Sequence, residues 1–417
     1  MLSQRVPLLI TFSAILVLVS IALKDWRPSI LILPITSLLI LVNTLSPKSG
    51  LNIEVKRKLA QESVITGETV TVKLEIANRG KERVDYLEIY DTLPAGLRLT
   101  EGTNRLIVSL EAGERIEFSY EILCSKRGVY KIGPAYLRTR DPLGFNFVEK
   151  MEPATAVLRV LPKIEKLKAS DLPFKQTAQW PGVIHSSQKG TGTEFYGLRD
   201  YLPGDDLRRI EWKASARMGK LITIENESER STDIVIILDA SSDLVLGNSS
   251  DSLLEYCVRA AGSLASLLLS LGNQVSVINH CASRSWLPGG FGKRHLRSVL
   301  DHLTSVEAGE SPLPIGFGLE RIFKSKPQVI LVSPLIAPNV IDDVKNIISE
   351  GYNVLVVSPF FPWILAEESD EAARIALRIL ALERRNVIAE LRRYCTVVDW
   401  NPEVPLKTAM RGIRRRI

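Results

Sequence analysis

The chain has few of the residues on which metal and thiol chemistry depend. It contains four cysteines and four histidines in 417 residues. The cysteines form no CxxC and the histidines form no HExxH, so the sequence predicts neither a zinc site nor a dense disulfide framework. The pattern GxxxxGK[ST] is also absent, which excludes nucleotide hydrolysis by a P-loop mechanism. We therefore interpret the cysteines as reduced thiols, mostly in the core, and expect that the chain is not an enzyme.

An excess of positive charge along the body of the chain is missing as well. The 53 Lys+Arg and 47 Asp+Glu residues are interleaved and leave a net charge of +6. This balance is typical of a solvated surface and does not predict a nucleic-acid partner. The last seven residues differ, because they include four arginines: Arg411, Arg414, Arg415 and Arg416. We predict a basic tail at 406–417, either a frayed end or a contact with anionic lipid or an acidic partner.

Long uncharged runs are present at the N-terminus. Residues 6–23 are apolar and uncharged, a second apolar segment covers 29–45, and a short polar turn with Trp26 separates them. A helix rising 1.5 Å per residue over about 18 residues nearly crosses a bilayer. We therefore predict two transmembrane helices within residues 1–48, forming a hairpin. A cleaved signal peptide is disfavoured because no small-residue cleavage site follows and a second apolar run begins at once.

Positive charge around this hairpin predicts its orientation. Arg5 and Lys48 lie outside the two runs, with further lysines beyond, whereas the turn holds only Lys24 and Arg27. The excess outside the hairpin favours both termini in the cytoplasm. We expect a multi-pass protein of the cell membrane whose body is cytoplasmic, which agrees with unpaired cysteines.

Residues 51–163 alternate apolar and polar side chains with a period of two. Val70, Val72, Leu74 and Ile76 are one example, and glycine-containing turn signals recur at short spacing. This pattern predicts half-buried strands in an all-β, immunoglobulin-like sandwich. No ligating or nucleophilic cluster appears in the segment, so we interpret it as a spacer or a protein-contact domain.

The pattern changes after residues 164–230, which we interpret as a linker and a signature segment. The run DIVIILD at 233–239 is continuously apolar between its end residues, as in a strand buried on both faces of a parallel sheet. Residues 231–405 therefore predict an α/β doubly wound domain. Its expected strands after 233–239 are 274–279, 328–332, 353–358 and 396–400, and its expected helices are 253–268, 292–304, 314–325, 339–350 and 368–393.

The first strand of this domain ends in Asp239-Ala240-Ser241-Ser242-Asp243. This resembles the Asp-x-Ser-x-Ser that begins the metal-ion-dependent adhesion site of von Willebrand factor A domains. Asp239 and Ser241 match, whereas Asp243 stands where the family has its second serine. Hydroxyl and carboxylate oxygens are the ligands that a hard cation such as Mg²⁺ prefers.

The resemblance implies two further ligands from later loops. Ser311 is the candidate for the family's threonine, while Ser333-Pro334 follows the strand where the family has an aspartate. The candidate metal ligands are thus Asp239, Ser241, Asp243 and Ser311. Two interpretations stay open: a degenerate Mg²⁺ site, or a loop in which Asp239 only caps local structure.

The longest recognisable motif is GTEFYGLRDYLPGDDLRRIEWKASAR at 192–217. Together with RGVYKIGP at 127–134 and RDPLG at 140–144, it closely resembles the signature of the family called domain of unknown function 58. The resemblance implies a membrane-associated protein that works beside MoxR-type AAA+ ATPases, which remodel or mature other proteins. Read from its charges, the signature is a network of charge-assisted hydrogen bonds that fixes a loop, with Trp212 as its anchor, or a direct partner-binding segment.

The sequence is compatible with three functional hypotheses. We expect a membrane-anchored scaffold or adaptor that binds the bilayer, a MoxR-type AAA+ ATPase and a client protein that the sequence does not identify. A cell-surface adhesin with a metal-dependent ligand is the alternative and requires the opposite topology. A hydrolase is the weakest, because His280 and Cys281 are adjacent on a strand and point to opposite faces.

Overall fold

The computed structural model describes residues 5–45, 51–140, 147–172, 186–202, 205–228, 233–241, 252–323, 326–337, 339–361 and 371–414. The chain divides into two compact units, Met1–Leu161 and Pro162–Ile417.

The first unit begins with two apolar helices, α1 (Arg5–Leu23) and α2 (Ile32–Leu45), separated by a 3₁₀ helix at Arg27–Leu31. Their apolar segments Pro7–Leu23 and Arg27–Leu41 are shorter than 18 residues. Among the described residues, one helix is long and apolar enough to cross a membrane, Leu253–Ser270, and most of it is buried in the second unit. Helix length therefore does not support the predicted multi-pass arrangement.

The rest of the first unit consists of short strands, as the period-two pattern predicts. Two sheets have four strands, in the orders β1-β3-β7-β5 and β10-β9-β4-β6, and a third has the order β2-β11-β8. Their inward side chains form one buried cluster, to which β3 contributes Val70, Val72, Leu74 and Ile76. The predicted β-sandwich is thus confirmed. Its strands are β1 (Ile53–Leu59), β2 (Ser63–Ile65), β3 (Thr69–Asn78), β4 (Val84–Asp91), β5 (Leu97–Glu101), β6 (Arg105–Leu110), β7 (Arg115–Cys124), β8 (Gly128–Ile132), β9 (Ala135–Arg140), β10 (Phe147–Glu152) and β11 (Ala156–Leu161).

A buried ion pair lies inside the sandwich. The side chains of Arg57 and Asp91 are 1% and 0% exposed. Arg57 also donates to the carbonyl of Ile132 at 2.9 Å, and the Tyr120 hydroxyl donates to Asp91 at 2.7 Å. Burial raises the pKa of Asp91, although the Tyr120 hydrogen bond and the Arg57 charge oppose this. Each charge therefore depends on the other to remain in the core.

The second unit contains a two-stranded sheet, β12-β13, and a six-stranded mixed sheet in the order β16-β15-β14-β17-β18-β19. All neighbours in the large sheet are parallel except β15 and β16. The elements are β12 (Ser186–Asp200), α3 (Trp212–Met218), β13 (Ile222–Ser228), β14 (Asp233–Asp239), α4 (Leu253–Ser270), β15 (Gln274–His280), β16 (Ser285–Gly290), α5 (Gly292–Thr304), α6 (Leu319–Ile322), β17 (Gln328–Val332), α7 (Val340–Ser349), β18 (Val354–Pro359), α8 (Glu371–Leu391), β19 (Thr396–Trp400) and α9 (Leu406–Arg414).

Helices cover both faces of the large sheet. Ile236 of β14 belongs to a buried cluster with residues of α4, α5 and α9, whereas the neighbouring Ile237 packs with residues of α6, α7 and α8. Because both faces are covered, β14 is continuously apolar rather than alternating. The observed mixed sheet with helices on both faces agrees with the expected α/β class.

The structure differs from the expectation at three places. The helix expected at 314–325 is limited to α6, because the turn before it passes through Gly318 at φ +78°. Strand β16, which ends in Pro288-Gly289-Gly290, was not expected. Residues on both sides of the predicted 231–405 domain also pack in this unit: Leu406 and Met410 of α9 are fully buried, and Arg411 pairs with the buried Asp171 at 2.5 Å. The predicted basic tail therefore includes a packed helix up to Arg414, while residues 415–417 lie outside the described residues.

Candidate functional site

The strand order places a topological switch point between β14 and β17. From β14 the chain continues to β15 on one side, and it later returns to β17 on the other. In doubly wound sheets the ligand-binding crevice forms beyond the carboxyl ends of the two strands at such a switch point, and we use the word crevice for this position. Asp239 ends β14 and Ser333 directly follows β17. The two side chains therefore meet where ligands bind in sheets of this kind.

Asp239 lies at this switch point, at the end of β14. Its side chain is buried, with the residue 2% exposed. One carboxylate oxygen accepts the backbone N–H of Ser241 at 3.1 Å, and the other accepts the hydroxyl of Ser333 at 2.6 Å. The first bond fixes the turn that leaves β14, and the second joins β14 to β17. Asp239 thus caps local structure, as one of the two open interpretations predicts.

Ser333 has a second role in the turn that follows β17. Its hydroxyl accepts the backbone N–H of Leu335 at 3.1 Å. Leu335 has a φ of +60°, a left-handed conformation that is unfavourable for a side chain with a Cβ. Arg384 of α8 donates to the carbonyl of Pro334 at 2.9 Å. A continuous set of hydrogen bonds thus runs from Asp239 through this turn to α8.

The neighbouring strand β15 contributes His280. In the parallel register His280 lies beside Asp239, and it is buried. Its pKa is lowered by burial, an effect that the charge of Asp239 opposes and the charge of Arg284 reinforces. Within the described part of the chain, the buried Nδ1 of His280 and the buried Oγ of Ser241 have no hydrogen-bond partner. Two unsatisfied polar atoms therefore lie on the strand ends next to Asp239.

The predicted metal ligands are only partly brought together. Asp239 and Ser241 lie on one turn, and the loop with Ser311 is tied to it because Gly309 donates to the carbonyl of Ala240 at 2.9 Å. The Ser311 hydroxyl, however, has its described hydrogen bonds within its own loop, to the backbone of Leu313. Asp243 lies outside the described residues. Among the residues that are described, no group of three or more His, Cys, Asp or Glu side chains surrounds a metal position.

A cation nevertheless fits part of this arrangement. The Asp239 carboxylate and the unsatisfied Ser241 hydroxyl are two oxygen ligands of the type that Mg²⁺ takes. Ser333 stands where the resemblance to von Willebrand factor A domains implied an aspartate, and its hydroxyl donates to Asp239. Sequence reasoning noted the missing carboxylate but did not predict that the serine would bond to Asp239.

The cysteines lack the features of reactive thiols. All four are free. Burial raises the pKa of Cys124 and of Cys395 to about 11, and the pKa of Cys257 is also raised by burial. Cys281 packs in the core cluster on the α4 face of the sheet, where its Sγ donates to the carbonyl of Ser283 at 3.3 Å.

Part of the hydrogen-bond network that the charges of the signature segment predict is present in the structure. Arg199 donates to Asp205 at 2.7 Å, and Asp205 also accepts the backbone N–H of Leu202 at 2.9 Å. These bonds hold the pKa of Asp205 below its usual value, the Arg199 bond most strongly. Trp212, which was expected to anchor the loop, is instead 66% exposed. Leu202, Leu207 and Met218 are also 59 to 65% exposed.

Comparison with known proteins connects this unit to proteins whose functions are not established. Residues 197–359 match the family model described as protein of unknown function DUF58. The chain is similar to the uncharacterized protein YeaD of Bacillus subtilis, with 24% identity over 261 residues, 60% of this chain and 61% of that protein. It is also similar to the uncharacterized protein Rv1480 of Mycobacterium tuberculosis, with 26% identity over 145 residues, 34% of this chain and 45% of that protein. The matched part thus spans less than two thirds of the length of either relative.

Among solved structures, the chain is similar to the CARDB domain of PF1109 from Pyrococcus furiosus, with 17% identity and a TM-score of 0.20, over 26% of this chain and 94% of that one. It is also similar to a non-cellulosomal cohesin from Archaeoglobus fulgidus, with 14% identity and a TM-score of 0.18, over 26% of this chain and 91% of that one. At these TM-scores the similarities carry no functional inference.

Proposed function

We propose that this chain is a DUF58-family adaptor, attached to a membrane, that binds another protein at the switch point of its C-terminal unit. The partner is a MoxR-type AAA+ ATPase, and the shared task is the assembly or maturation of a protein complex on the cytoplasmic side. The C-terminal unit acts in the manner of a von Willebrand factor A domain.

One observation carries this proposal. The Ser241 hydroxyl and the His280 Nδ1 are buried next to Asp239 and have no hydrogen-bond partner among the described residues. A buried polar atom without a partner costs about 1–3 kcal/mol, and here two of them lie beside one buried carboxylate. A ligand that reaches the crevice and hydrogen-bonds with them recovers this energy. A side chain from a partner protein fits this role.

Asp239 and Ser241 are the residues that would hold a divalent cation in this crevice. Mg²⁺, when bound, supplies positive charge that attracts a carboxylate of the partner. Without the cation, the hydroxyl of Ser241 and the ring of His280 remain as donors. Measuring partner binding in Mg²⁺ and in a chelator shows whether the partner binds through the cation or directly to these donors.

The signature segment supports a protein partner in a second way. Its four large apolar side chains, Leu202, Leu207, Trp212 and Met218, are each more than half exposed. A protein partner that covers these side chains would remove their apolar surface from water.

The exposed apolar surface of α1 and α2 supports membrane attachment. Leu8, Ile21, Leu33 and Ile40 are each 65 to 68% exposed. Helices that are apolar on all sides are stable when a non-aqueous environment covers them. Deleting residues 5–45 should release the protein from a carbonate-washed membrane fraction. Persistence of the deleted protein in that fraction contradicts attachment through these helices.

The binding test uses the full-length chain, co-expressed with the MoxR-type ATPase of the same cell and recovered by affinity purification in Mg²⁺ or EDTA. We expect the wild-type chain to retain the ATPase and Ser241→Ala to retain at least fivefold less. Ser349→Ala is the matched control, since Ser349 is exposed on α7 and, among the described residues, its hydroxyl bonds only to the carbonyl of Asn346. Asp239→Asn tests whether a cation takes part in binding. The asparagine keeps an oxygen that accepts the Ser333 hydroxyl but lacks the negative charge that a cation requires.

Equal recovery with all three variants contradicts binding at the switch point. Failure of the wild-type chain to retain the ATPase contradicts the partnership itself. Loss of binding in EDTA, together with loss in Asp239→Asn, supports a cation in the site.

A further inference from the structure

A second concave surface, a cleft, lies at the carboxyl ends of β18 and β19, beside α8. Its volume is about 530 Å³. Phe360 follows β18, and Leu377 and Leu382 of α8 contribute further apolar surface to its lining. The cleft is large enough to hold several side chains of another molecule.

The wall formed by α8 is held in place by one buried arginine. Arg384 donates to the carbonyl of Pro334 at 2.9 Å, to the hydroxyl of Ser358 at 2.9 Å and to Asp399 at 2.6 Å. Its guanidinium also lies over the ring of Phe360, 4.6 Å from the centroid. These contacts tie α8 to the ends of β17, β18 and β19, so the cleft is preformed. Asp399 neutralises the charge of Arg384, which is therefore an anchor rather than a ligand-binding group.

Three other arginines, all on α8, line the cleft. Arg374, Arg378 and Arg385 line it, are exposed, and form no ion pair with any residue that the structure describes. They follow one another along α8 at intervals of four and seven residues. Such intervals place them along one side of a helix, over a length of roughly 16 Å. The arrangement matches a row of carboxylates on a second, adjacent helix.

An apolar stripe runs beside these arginines. Ile375, Ile379 and Leu382 are 52%, 52% and 58% exposed, at intervals of four and three residues. Helix α8 therefore presents to solvent what an amphipathic helix normally buries. The stripe and the cleft fit apolar side chains of a partner, and the arginines fit acidic side chains of the same partner.

We propose that α8 and its cleft bind an acidic amphipathic helix of a partner protein. Its aliphatic side chains enter the cleft and cover the stripe, while its glutamates or aspartates pair with Arg374, Arg378 and Arg385. Guanidinium groups form bidentate hydrogen bonds with carboxylates, which gives this contact directional specificity. A concave cleft favours a helix over a flat bilayer, which cannot fill it. This surface is separate from the Asp239 crevice, and its test does not require the ATPase.

The probe is a synthetic 21-residue helical peptide with glutamates at intervals of four and seven residues and leucines on the adjoining face, labelled with fluorescein. The full-length chain is reconstituted in phosphatidylcholine nanodiscs, and binding is measured by fluorescence anisotropy. We expect saturable binding that weakens with salt, and about tenfold weaker binding by Arg378→Glu, Arg385→Glu. Arg392→Glu, Arg393→Glu makes the same charge change at exposed positions outside the cleft and should alter affinity less than twofold.

A second peptide, with glutamine in place of each glutamate, should bind at least tenfold more weakly than the first. Leu382→Asp, at an exposed position, should also weaken binding without unfolding the helix, as checked by circular dichroism. Equal binding by the two double variants overturns the proposal. Absence of peptide binding, combined with attachment to phosphatidylglycerol vesicles that Arg378→Glu, Arg385→Glu abolishes, overturns it in favour of a lipid surface.

Discussion

Replacement of Ser333 by alanine tests whether the hydroxyl holds the switch point together. Ser333, Asp239 and Leu335 are all buried. The hydroxyl donates to the carboxylate of Asp239 at 2.6 Å and accepts the backbone N–H of Leu335 at 3.1 Å. Ser333→Ala removes both bonds and adds no bulk, because alanine is the smaller residue.

The expected loss follows from the two bonds. A hydrogen bond to a charged group contributes about 1.5–3 kcal/mol, and a neutral one contributes about 0.5–1.5 kcal/mol. The left-handed conformation of Leu335 costs about 1–2 kcal/mol, and the second bond helps to offset it. We therefore expect Ser333→Ala to lower the free energy of unfolding of the C-terminal unit by about 2–4 kcal/mol.

Ser241→Ala is the matched control for stability. It removes the same hydroxyl group two residues after Asp239, but this hydroxyl has no partner among the described residues. Because an unpaired buried hydroxyl costs about 1–3 kcal/mol, we expect its removal to leave the free energy of unfolding unchanged or to raise it by up to about that amount, and not to lower it. The same variant is expected to weaken partner binding, so the two serines separate stability from function.

Hydrogen exchange followed by mass spectrometry measures both changes in the full-length chain. Where exchange requires unfolding of the unit, peptides containing β14 and β17 should exchange roughly thirtyfold to several hundredfold faster in Ser333→Ala. Peptides containing β3 and β7 of the sandwich should not change. Equal exchange in Ser333→Ala and Ser241→Ala refutes the assignment of Ser333 as the bridge between strands.

Three further predictions concern groups away from the crevice. Arg57→Met should destabilise the sandwich by about 3–5 kcal/mol in urea unfolding, because it removes the charge that pairs with the buried Asp91 carboxylate, and adding Asp91→Leu should recover part of the loss, since the Tyr120 hydroxyl then loses its acceptor. Burial lowers the pKa of His302 below the usual histidine value of 6.5, so the unfolded chain takes up this proton at a higher pH than the folded chain. Stability should be complete above pH 6.5 and decrease as the pH falls through and below it, and His302→Asn should reduce this decrease in unfolding measured between pH 7.5 and 5. Arg384→Met should destabilise the C-terminal unit by roughly 1–3 kcal/mol, a range reduced because the side chain of Asp399 is 45% exposed and water replaces part of the lost pairing; unchanged exchange of α8 would contradict its role as an anchor.

Much of the fold follows from hydrophobic periodicity. The period-two pattern of 70–76 predicts β3, and the bounds expected for β17, β19 and α5 agree with the structure. These elements bury regular faces, so their position in the sequence reflects their environment directly. The limits appear where tertiary contacts decide the structure. Strand β16 contains Pro288-Gly289-Gly290, which no β pattern predicts, and it forms by pairing with β15.

The sequence of helix α9 contains an apolar spacing that indicates a packed helix, although its arginines led us to predict a tail. Leu406 and Met410 are four residues apart and both are buried, whereas the neighbouring arginines suggested an unpacked tail. The burial of Arg384 could not be predicted either, because an arginine in a helical segment is usually a surface residue. Its burial depends on acceptors from three separate strand ends.

The part of the candidate site that is formed by residues close in sequence could be predicted. Asp239 and Ser241 lie on one turn, so their proximity follows from the sequence alone. The bond between Asp239 and Ser333, 94 residues apart, depends on β14 and β17 being neighbours. The strand order that makes them neighbours also creates the crevice, and local spacing carries no information about it.

Site-specific photo-crosslinking tests the central claim, that a protein partner binds at the switch point, most directly. A photo-reactive amino acid placed at position 311, on the loop tied to Ala240, is compared with the same amino acid at position 349 on α7. Binding at the crevice predicts a crosslink from position 311 to the MoxR-type AAA+ ATPase that Ser241→Ala removes, and none from position 349. A crosslink from position 349 alone, or one from position 311 that persists in Ser241→Ala, would contradict it.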